Sequence, residues 1–193
     1  LNIGQPDLPT PPEYYEAISN FNNKTLAYAA SPGIPELIEA IRKYYAEIGV
    51  ELDPSDILVT TGGSEALLLT CLSILDPYTE VIIPEPYYTN YNTFAKLCDA
   101  TIKTIPSDIR TGFALPPIEE FEKAITDKTK AILVCNPGNP TGTQYSKESM
   151  LALGEIARRH DLFLLSDEVY REFCYTDEPH FSAMNIPDLD QNV

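Results

Sequence analysis

The feature that most constrains the fold is an apolar run that stops abruptly at a group of polar residues. Residues 162–165, LFLL, are consecutive apolar residues, which is typical of a strand buried on both faces in a parallel sheet covered by helices. Ser166, Asp167, Glu168 and Tyr170 follow directly. Ligands of open α/β sheets bind beyond the carboxyl ends of the strands, so an acid at this position points to a site. Asp167 is therefore the first candidate functional residue.

A second polar strand end lies upstream and bears on the interpretation of Asp167. A Ser-Asp pair after a strand can also serve only to cap the following helix. Residues 131–142, AILVCNPGNPTG, combine an apolar run with more turn-forming residues than a strand–helix connection requires. Two elaborated strand ends favour one site between them.

Length and composition allow one α/β domain with a substantial core. The chain has 193 residues, of which 44% are hydrophobic. The sequence contains no apolar run as long as a membrane span and no signal-peptide pattern, so we expect a soluble, cytoplasmic protein. It begins with LNIGQPD and ends with DLDQNV, and both ends look interrupted. We therefore expect the chain to be part of a larger protein.

The charge and the cysteines argue against several kinds of partner. The formal charge is -16, from 29 acidic and 13 cationic residues, which disfavours nucleic acid and anionic membranes. An anionic ligand would have to be held locally, as backbone N–H groups at a helix N-terminus can do. The cysteines form no CxxC or Cys/His cluster, which predicts free thiols and no metal site; they are Cys71, Cys98, Cys135 and Cys174.

The apolar segments predict short strands that alternate with longer helices. The predicted strands are 57–60, 80–83, 101–105, a strand beginning at 131, and 162–165. The predicted helices are 12–19, 35–48, 66–75, 89–98, 118–125 and 146–160. This order predicts an α/β fold with a doubly wound, mainly parallel sheet and helices on both faces. We expect His160 to interact with the negative end of its helix dipole, whereas His180 has no visible partner in the sequence pattern.

Two further loops are candidates for contacting a ligand. The turn TGGSE at 61–65 leads into an apolar helix, and its N–H groups, the Ser64 hydroxyl and the helix dipole suit a phosphate. The alternative is a plain tight turn between strand and helix. Tyr87, Tyr88 and Tyr91 follow the strand at 80–83 and offer a face for stacking a planar ring, or they are half-buried surface aromatics.

Taken in order, these segments resemble the class I/II aminotransferases, fold-type I enzymes that use pyridoxal 5′-phosphate (PLP). The resemblance covers nearly the whole chain, through LNIGQPD, YAASPGIPELIEAI, TTGGSEAL, PEPYYTNY, NPGNPTG and SDEVYREF. NPGNPTG followed by SDEVY is highly specific, whereas Gly-Gly-Ser alone is not. The resemblance implies an N-terminal arm and short helix at 1–30. It also implies a PLP-binding large domain at 31–193 that is truncated at its C-terminal end.

The resemblance assigns phosphate-binding roles by position. Gly63, Ser64 and Glu65 would hold the cofactor phosphate through backbone and side-chain groups. Tyr28 matches the tyrosine that reaches the phosphate of the other subunit, which implies a homodimer with shared sites.

Roles around the cofactor ring follow in the same way. Tyr88 matches the aromatic residue that stacks on the pyridine ring, with Tyr87 as the second choice. Asn139 and Tyr170 would hydrogen-bond the 3-oxygen of the ring, and Asp167 would pair with the pyridine nitrogen. A carboxylate beside that nitrogen favours its protonated form, which makes the ring a better electron sink.

The substrate would be held by the same region, but one catalytic group is missing. Gly4, Asn139 and Tyr88 would contact the substrate, with Gly4 and Asn139 holding its α-carboxylate. The family attaches its cofactor to a lysine some thirty residues beyond the position of Asp167, and the last lysine here is Lys147. The resemblance thus implies a fragment that lacks the catalytic lysine and is inactive alone.

For the parent protein the resemblance implies an amino acid aminotransferase, with aspartate as the first donor to test and a 2-oxo acid as acceptor. A PLP-dependent lyase or synthase of the same fold is the nearest alternative, since cofactor contacts are shared. A non-catalytic PLP-sensing module of a regulator is a second alternative. A nucleotide-binding domain is disfavoured, because the chain lacks both G-x-G-x-x-G and the phosphate-loop lysine motif.

Overall fold

The apolar runs form a parallel sheet. The computed structural model describes residues 8–189. Its strands are β1 (Glu80–Glu85), β2 (Thr101–Pro106), β3 (Thr129–Cys135) and β4 (Phe163–Asp167). They pair in the order β2-β1-β3-β4, and every pairing is parallel. The chain therefore builds outward from β1 to β2, then returns to the other side of β1, and this change of direction opens a crevice between the carboxyl ends of β1 and β3.

The helices are α1 (Pro12–Ser19), α2 (Pro35–Ala46), α3 (Gly63–Ile74), α4 (Tyr91–Leu97), α5 (Ile118–Ala124) and α6 (Lys147–His160). Helices α4, α5 and α6 connect successive strands, and α3 to α6 cover the sheet. Short 3-10 turns lie at Pro54–Asp56, Ile109–Thr111 and Ala183–Asn185. Helix α6 begins after Ser146, whose side chain accepts a hydrogen bond from the amide of Ser149 as an N-cap. Within residues 8–189, no helix has both the length and the apolar character needed to cross a membrane.

Alternate residues of the inner strands enter two separate hydrophobic clusters. Ile132 and Val134 of β3 pack with residues of α5 and α6 on one face. Ala131, Leu133 and Cys135 pack with residues of α3 and α4 on the other. This alternation explains why β3 reads as a continuous apolar run, since both of its faces are covered. The predicted α/β fold with helices on both faces is confirmed.

Two details of the predicted strands are wrong. Residues 57–60 form no strand, although the side chain of Ile57 is buried. The amide of Val59 donates to the carbonyl of Pro32, 2.9 Å away, so this extended segment is bonded to a loop and not to another strand. In β4, only one face is well covered: Leu164 is fully buried, whereas Phe163 is 37% exposed. Within residues 8–189, β4 is an edge strand, which accounts for this exposure.

Candidate active site

A cleft of about 190 Å³ opens where the carboxyl ends of β1, β3 and β4 meet the N-terminus of α3. Its lining includes a group of the residues that the sequence singled out: Gly63, Ser64, Tyr88, Asn139, Asp167 and Tyr170. The remaining lining residues are Leu67, Cys135 and Val169. The cleft lies at the crevice that the strand order creates, as expected for a ligand site of a parallel sheet.

Asp167 is the last residue of β4, and its carboxylate is held by two donors. The hydroxyl of Tyr91 donates to Oδ2 at 2.8 Å, and the amide of Val169 donates to Oδ1 at 3.2 Å. A turn follows, and no helix begins directly after Asp167, so the alternative role as a helix cap is wrong. Among residues 8–189, Asp167 takes part in no ion pair with a basic side chain. The cleft therefore presents an oriented carboxylate without a cationic partner.

Tyr91 was a candidate stacking aromatic in the sequence, and its hydrogen bond to Asp167 was not predicted. It is the first residue of α4 and is 2% exposed. Burial raises its pKa, and the neighbouring Cys135 and the negative charge of Asp167 raise it further. The phenol consequently stays protonated and keeps donating to Asp167. The partner of Tyr91 lies in β4, far away in the sequence, so no local spacing signalled this hydrogen bond.

The structure distinguishes the two tyrosines that were candidates for ring stacking. Tyr88 lines the cleft, and its ring meets that of Tyr91 edge-on, with the centroids 5.6 Å apart. The hydroxyl of Tyr88 accepts a hydrogen bond from the side-chain amide of Asn90 at 2.7 Å. Tyr87 instead donates to the side chain of Asn92 at 3.1 Å and lines other cavities. Tyr88 is therefore the tyrosine available for stacking in the cleft.

The turn before α3 exposes the start of that helix to the cleft. Gly62 has a φ of 83°, a left-handed conformation that favours glycine, and α3 begins at Gly63. The first amides of a helix have no partner within the helix, so those of Gly63 and Ser64 are available to an anion. The carboxylate of Glu65 accepts a hydrogen bond from the amide of Thr61 at 2.5 Å. Its side chain thus stabilises the turn, and Glu65 does not line the cleft.

The loop that carries Asn139 is bonded directly to the end of β4. The amide of Asn136 donates to the carbonyl of Asp167 at 2.9 Å, which joins the two polar strand ends. The side-chain oxygen of Asn136, which is fully buried, accepts from the amide of Tyr145 at 2.8 Å. His180 also finds its partner here, because its Nε2 lies 3.0 Å from the carbonyl oxygen of Asn136. These bonds attach the start of the loop that carries Asn139 to the end of β4.

Cys135 lies at the floor of the cleft as a protonated thiol. Burial, followed by the charge of Asp167, raises its pKa to about 11. Its sulfur contacts the carbonyl oxygen of Pro137 at 3.3 Å and acts as the donor. Thiolate chemistry at neutral pH is therefore disfavoured at this position.

The remaining sequence candidates lie elsewhere. Tyr28 is fully exposed in the coil between α1 and α2 and does not line the cleft. Gly4 lies outside the described residues. Lys147 is the first residue of α6, and its ammonium group lies 5.4 Å from the ring centre of Phe181. His160 closes α6 with its Nε2 2.7 Å from a carboxylate oxygen of Glu122, in keeping with an electrostatic role at the helix end.

With this geometry established, comparison with known proteins gives the family. The chain belongs to the family described as aminotransferase class I and II, which matches residues 1–193. The fold and the cleft are thus consistent with the family to which the sequence belongs.

Individual relatives agree with this assignment. The aspartate/prephenate aminotransferase of Thermus thermophilus is 40% identical over 189 residues, covering 96% of this chain and 48% of the relative. The aspartate aminotransferase of Bacillus subtilis is 36% identical over 190 residues, covering 97% of this chain and 48% of the relative. The aromatic aminotransferase structure from Pyrococcus horikoshii superimposes with a TM-score of 0.93 at 32% identity, covering 98% of this chain and 51% of that structure. The chain spans about half the length of the relatives it matches.

Proposed function

We propose that the protein to which this chain belongs is a PLP-dependent aminotransferase that moves an amino group from an L-amino acid to a 2-oxo acid. The observation that carries the proposal is the Asp167 carboxylate, which lines the cleft, is oriented by Tyr91 and Val169, and has no cationic partner among residues 8–189. A partly buried carboxylate of this kind favours a ligand that brings a positive charge, such as a protonated ring nitrogen.

The other lining residues fit the remaining parts of PLP. The free amides at the start of α3 and the Ser64 hydroxyl suit a phosphate, and they need no net positive charge to bind it. Tyr88 offers an aromatic face, while Asn139 and Tyr170 offer hydrogen-bond donors for the 3-oxygen of the ring. A cleft of about 190 Å³ that is open to solvent suits a small planar ring better than a dinucleotide.

The chain's own residues would act by binding and by holding a proton. Bound PLP supplies an electron-withdrawing ring that stabilises negative charge at the α-carbon of an amino acid. Asp167 would keep the proton on the ring nitrogen, and Tyr91 would keep the carboxylate of Asp167 in place. Asn139 and Tyr170 would donate to the ring oxygen and so fix the orientation of the ring.

The proposed activity needs a catalytic lysine and a partner subunit, which the residues that line the cleft do not supply. No lysine follows Lys147 in the sequence, and no described lysine lines the cleft. We therefore assign the covalent attachment of PLP to a lysine outside residues 1–193 and expect residues 1–193 to be inactive alone. The full exposure of Tyr28 suits a role at a partner subunit's site in a cytoplasmic homodimer.

Aspartate is the first amino donor to test. The relative of Bacillus subtilis is named aspartate aminotransferase, and that of Thermus thermophilus is named aspartate/prephenate aminotransferase. A structural neighbour is named an aromatic aminotransferase, so the same fold serves other donors. In this proposal the cleft residues would contact the cofactor more than the substrate side chain, so they favour neither donor.

The test uses the full-length protein, wild type and Asp167→Asn. PLP binding is followed by absorbance and by equilibrium dialysis, and amino transfer from aspartate, tyrosine or alanine to 2-oxoglutarate is followed by product analysis. We expect PLP to bind the wild type, glutamate to form, and Asp167→Asn to lose at least a hundredfold in rate, since the uncharged amide no longer holds the proton. Failure of the wild type to bind PLP would refute the assignment of PLP as the cofactor. Loss of amino donor without formation of glutamate would instead indicate lyase chemistry.

A further inference from the structure

The turn that carries Tyr170 is attached to α2 by a buried arginine. Arg171 is 8% exposed, and its guanidinium carbon lies 4.4 Å and 4.7 Å from the ring centres of Tyr44 and Tyr45. Both tyrosines belong to α2, far from β4 in the sequence. The contact therefore joins α2 to the segment directly after Asp167.

The hydrogen bonding of Arg171 is incomplete, so the contacts with the two tyrosine rings are important for its head group. Within residues 8–189, neither terminal guanidinium nitrogen has a hydrogen-bond partner. The Nε atom lies 3.5 Å from the carboxylate of Glu172, which also accepts a hydrogen bond from the hydroxyl of Tyr44. Burial of a guanidinium with unpaired nitrogens costs free energy, and cation–π contacts with the two rings offset part of this cost. The rings are nearly perpendicular to each other, at 85°, so the planar head group can lie parallel to one of them at most. Arginine suits this position better than lysine because its planar head group can stack.

A second anchor fixes the start of the same turn. One carboxylate oxygen of Glu168 accepts hydrogen bonds from the hydroxyls of Ser166 and Ser182, at 3.0 and 3.1 Å, and from the amide of Ala183 at 2.8 Å. The amide of Arg171 then donates to the carbonyl of Glu168 at 3.0 Å. Glu168 and Arg171 are thus attached to the scaffold.

The residue before the first anchor, Asp167, and a residue between the two anchors, Tyr170, lie at the cleft. Asp167 and Tyr170 both line it, and Tyr170 is only 39% exposed although it lies in a surface turn. The ring of Tyr170 meets Phe173 edge-on at 6.1 Å. Since Arg171 is the next residue in the chain, displacement of its side chain from α2 would move the backbone that carries the Tyr170 phenol.

We propose that Arg171 is a positioning residue: through its contacts with the rings of Tyr44 and Tyr45 it holds the turn after β4 so that Tyr170 lines the cleft. The inference rests on the proposed PLP function, because the effect of Tyr170 is measured on bound PLP. Arg171 itself does not line the cleft, so its effect on bound PLP would be indirect.

The test is a double-mutant cycle on the full-length protein, with Arg171→Met, Tyr170→Phe and the double variant. The readouts are the dissociation constant for PLP and the pH midpoint of the absorbance of bound PLP. If Arg171 acts through Tyr170, Arg171→Met weakens PLP binding roughly three- to thirtyfold and shifts the pH midpoint in the same direction as Tyr170→Phe. The double variant should then bind PLP within about twofold of Tyr170→Phe alone.

Controls separate positioning from loss of charge and from poor folding. Arg158→Met removes an exposed arginine of α6 and should leave PLP binding unchanged. Arg171→Lys keeps the charge without the flat stacking surface and should behave like Arg171→Met. If Arg171→Met does not fold, Tyr44→Leu is the substitute variant, because it removes one of the two rings that contact Arg171. It should shift the pH midpoint in the same direction as Tyr170→Phe, by a smaller amount.

The outcomes distinguish this inference from the proposed function. Absence of PLP binding by the wild type refutes the proposed function. Binding by the wild type, with weakening in Tyr170→Phe but none in Arg171→Met, overturns the positioning role alone. Losses that multiply in the double variant also overturn it, because the two residues would then act independently.

Discussion

At the residue scale, the site depends on how the charge of Asp167 is held. Tyr91 and Val169 each donate to one carboxylate oxygen, so the group has a fixed orientation before any ligand arrives. Each oxygen still has room for another donor, because an ionised carboxylate accepts about four hydrogen bonds. A ligand therefore meets a negative group that is already oriented, which reduces the cost of ordering it on binding.

The hydrogen bond from Tyr91 to Asp167 should contribute measurably to stability. Tyr91→Phe removes a donor to a charged acceptor in a largely buried setting, and we expect the free energy of unfolding to fall by about 1.5–3 kcal/mol. Tyr87→Phe is the matched control, since its hydroxyl bonds the exposed Asn92, and it should cost less than about 0.5 kcal/mol. Urea unfolding at neutral pH measures both. Equal losses in the two variants would show that the Tyr91 hydroxyl has no special role.

Two buried thiols should make the fold sensitive to alkaline pH. Burial raises the pKa of Cys71 and Cys135 from 9.0 to about 11. The unfolded chain loses these thiol protons at lower pH than the folded chain, so the folded state binds more protons between about pH 9 and 11. The free energy of unfolding therefore falls as the pH rises through this window.

The measurement is urea unfolding of wild type and Cys71→Ala from pH 8 to 11. The alkaline loss of stability should be smaller in Cys71→Ala by on the order of 1–2 kcal/mol. Leu75→Ala makes a cavity in the same cluster without removing an ionisable group and should keep the slope of the wild type. A slope in Cys71→Ala equal to that of the wild type would contradict the prediction.

At the element scale, hydrophobic periodicity predicted most of the fold. The helix predicted at 12–19 is α1, and the one predicted at 146–160 differs from α6 by one residue. Periodicity does not show which strands find a neighbour. The segment at 57–60 and the exposed face of β4 were consequently misinterpreted, since both depend on the pairing of strands and on the cover of the sheet.

The same limit explains what the sequence revealed about the site. Residues at strand ends and helix starts come together because the carboxyl ends of parallel strands share one edge, and this placed Ser64, Asn139 and Asp167 in one cleft. The bond of Tyr91 to Asp167 and the contacts of Arg171 were not predicted. Their contacts join elements that are distant in sequence, and no local spacing predicts which side chain a buried tyrosine or arginine will meet.

Packing between α6 and the segment after the turn at 183–185 should tolerate no extra methyl group. A Cβ at Gly154 would lie 2.6 Å from Cγ2 of Ile186 and 2.9 Å from Cδ1 of Leu189. Gly154→Ala should therefore lower the free energy of unfolding by about 1–3 kcal/mol, despite the better helix propensity of alanine. Adding Ile186→Ala should make the combined cost smaller than the sum of the single costs. Additive costs in urea unfolding would refute a direct clash.

At the scale of the whole chain, residues 1–193 carry a formal charge of -16 and contain a site that is proposed to bind an anion. Long-range repulsion should slow the approach of PLP at low ionic strength, whereas the local amides at the start of α3 hold the phosphate at short range. The association rate measured by stopped flow should increase when NaCl is raised from about 0.02 to about 0.3 M, because the Debye length shortens. A decrease would mean that a basic surface attracts PLP, contrary to this account.

The central claim is that Asp167 keeps a proton on the ring nitrogen of bound PLP. The most direct measurement is the ¹⁵N chemical shift of PLP labelled at its ring nitrogen and bound to the full-length protein, wild type and Asp167→Asn. We predict the shift of a protonated nitrogen in the wild type at neutral pH and that of an unprotonated nitrogen in Asp167→Asn. An unprotonated nitrogen in the wild type, or the same shift in both proteins, would contradict the account.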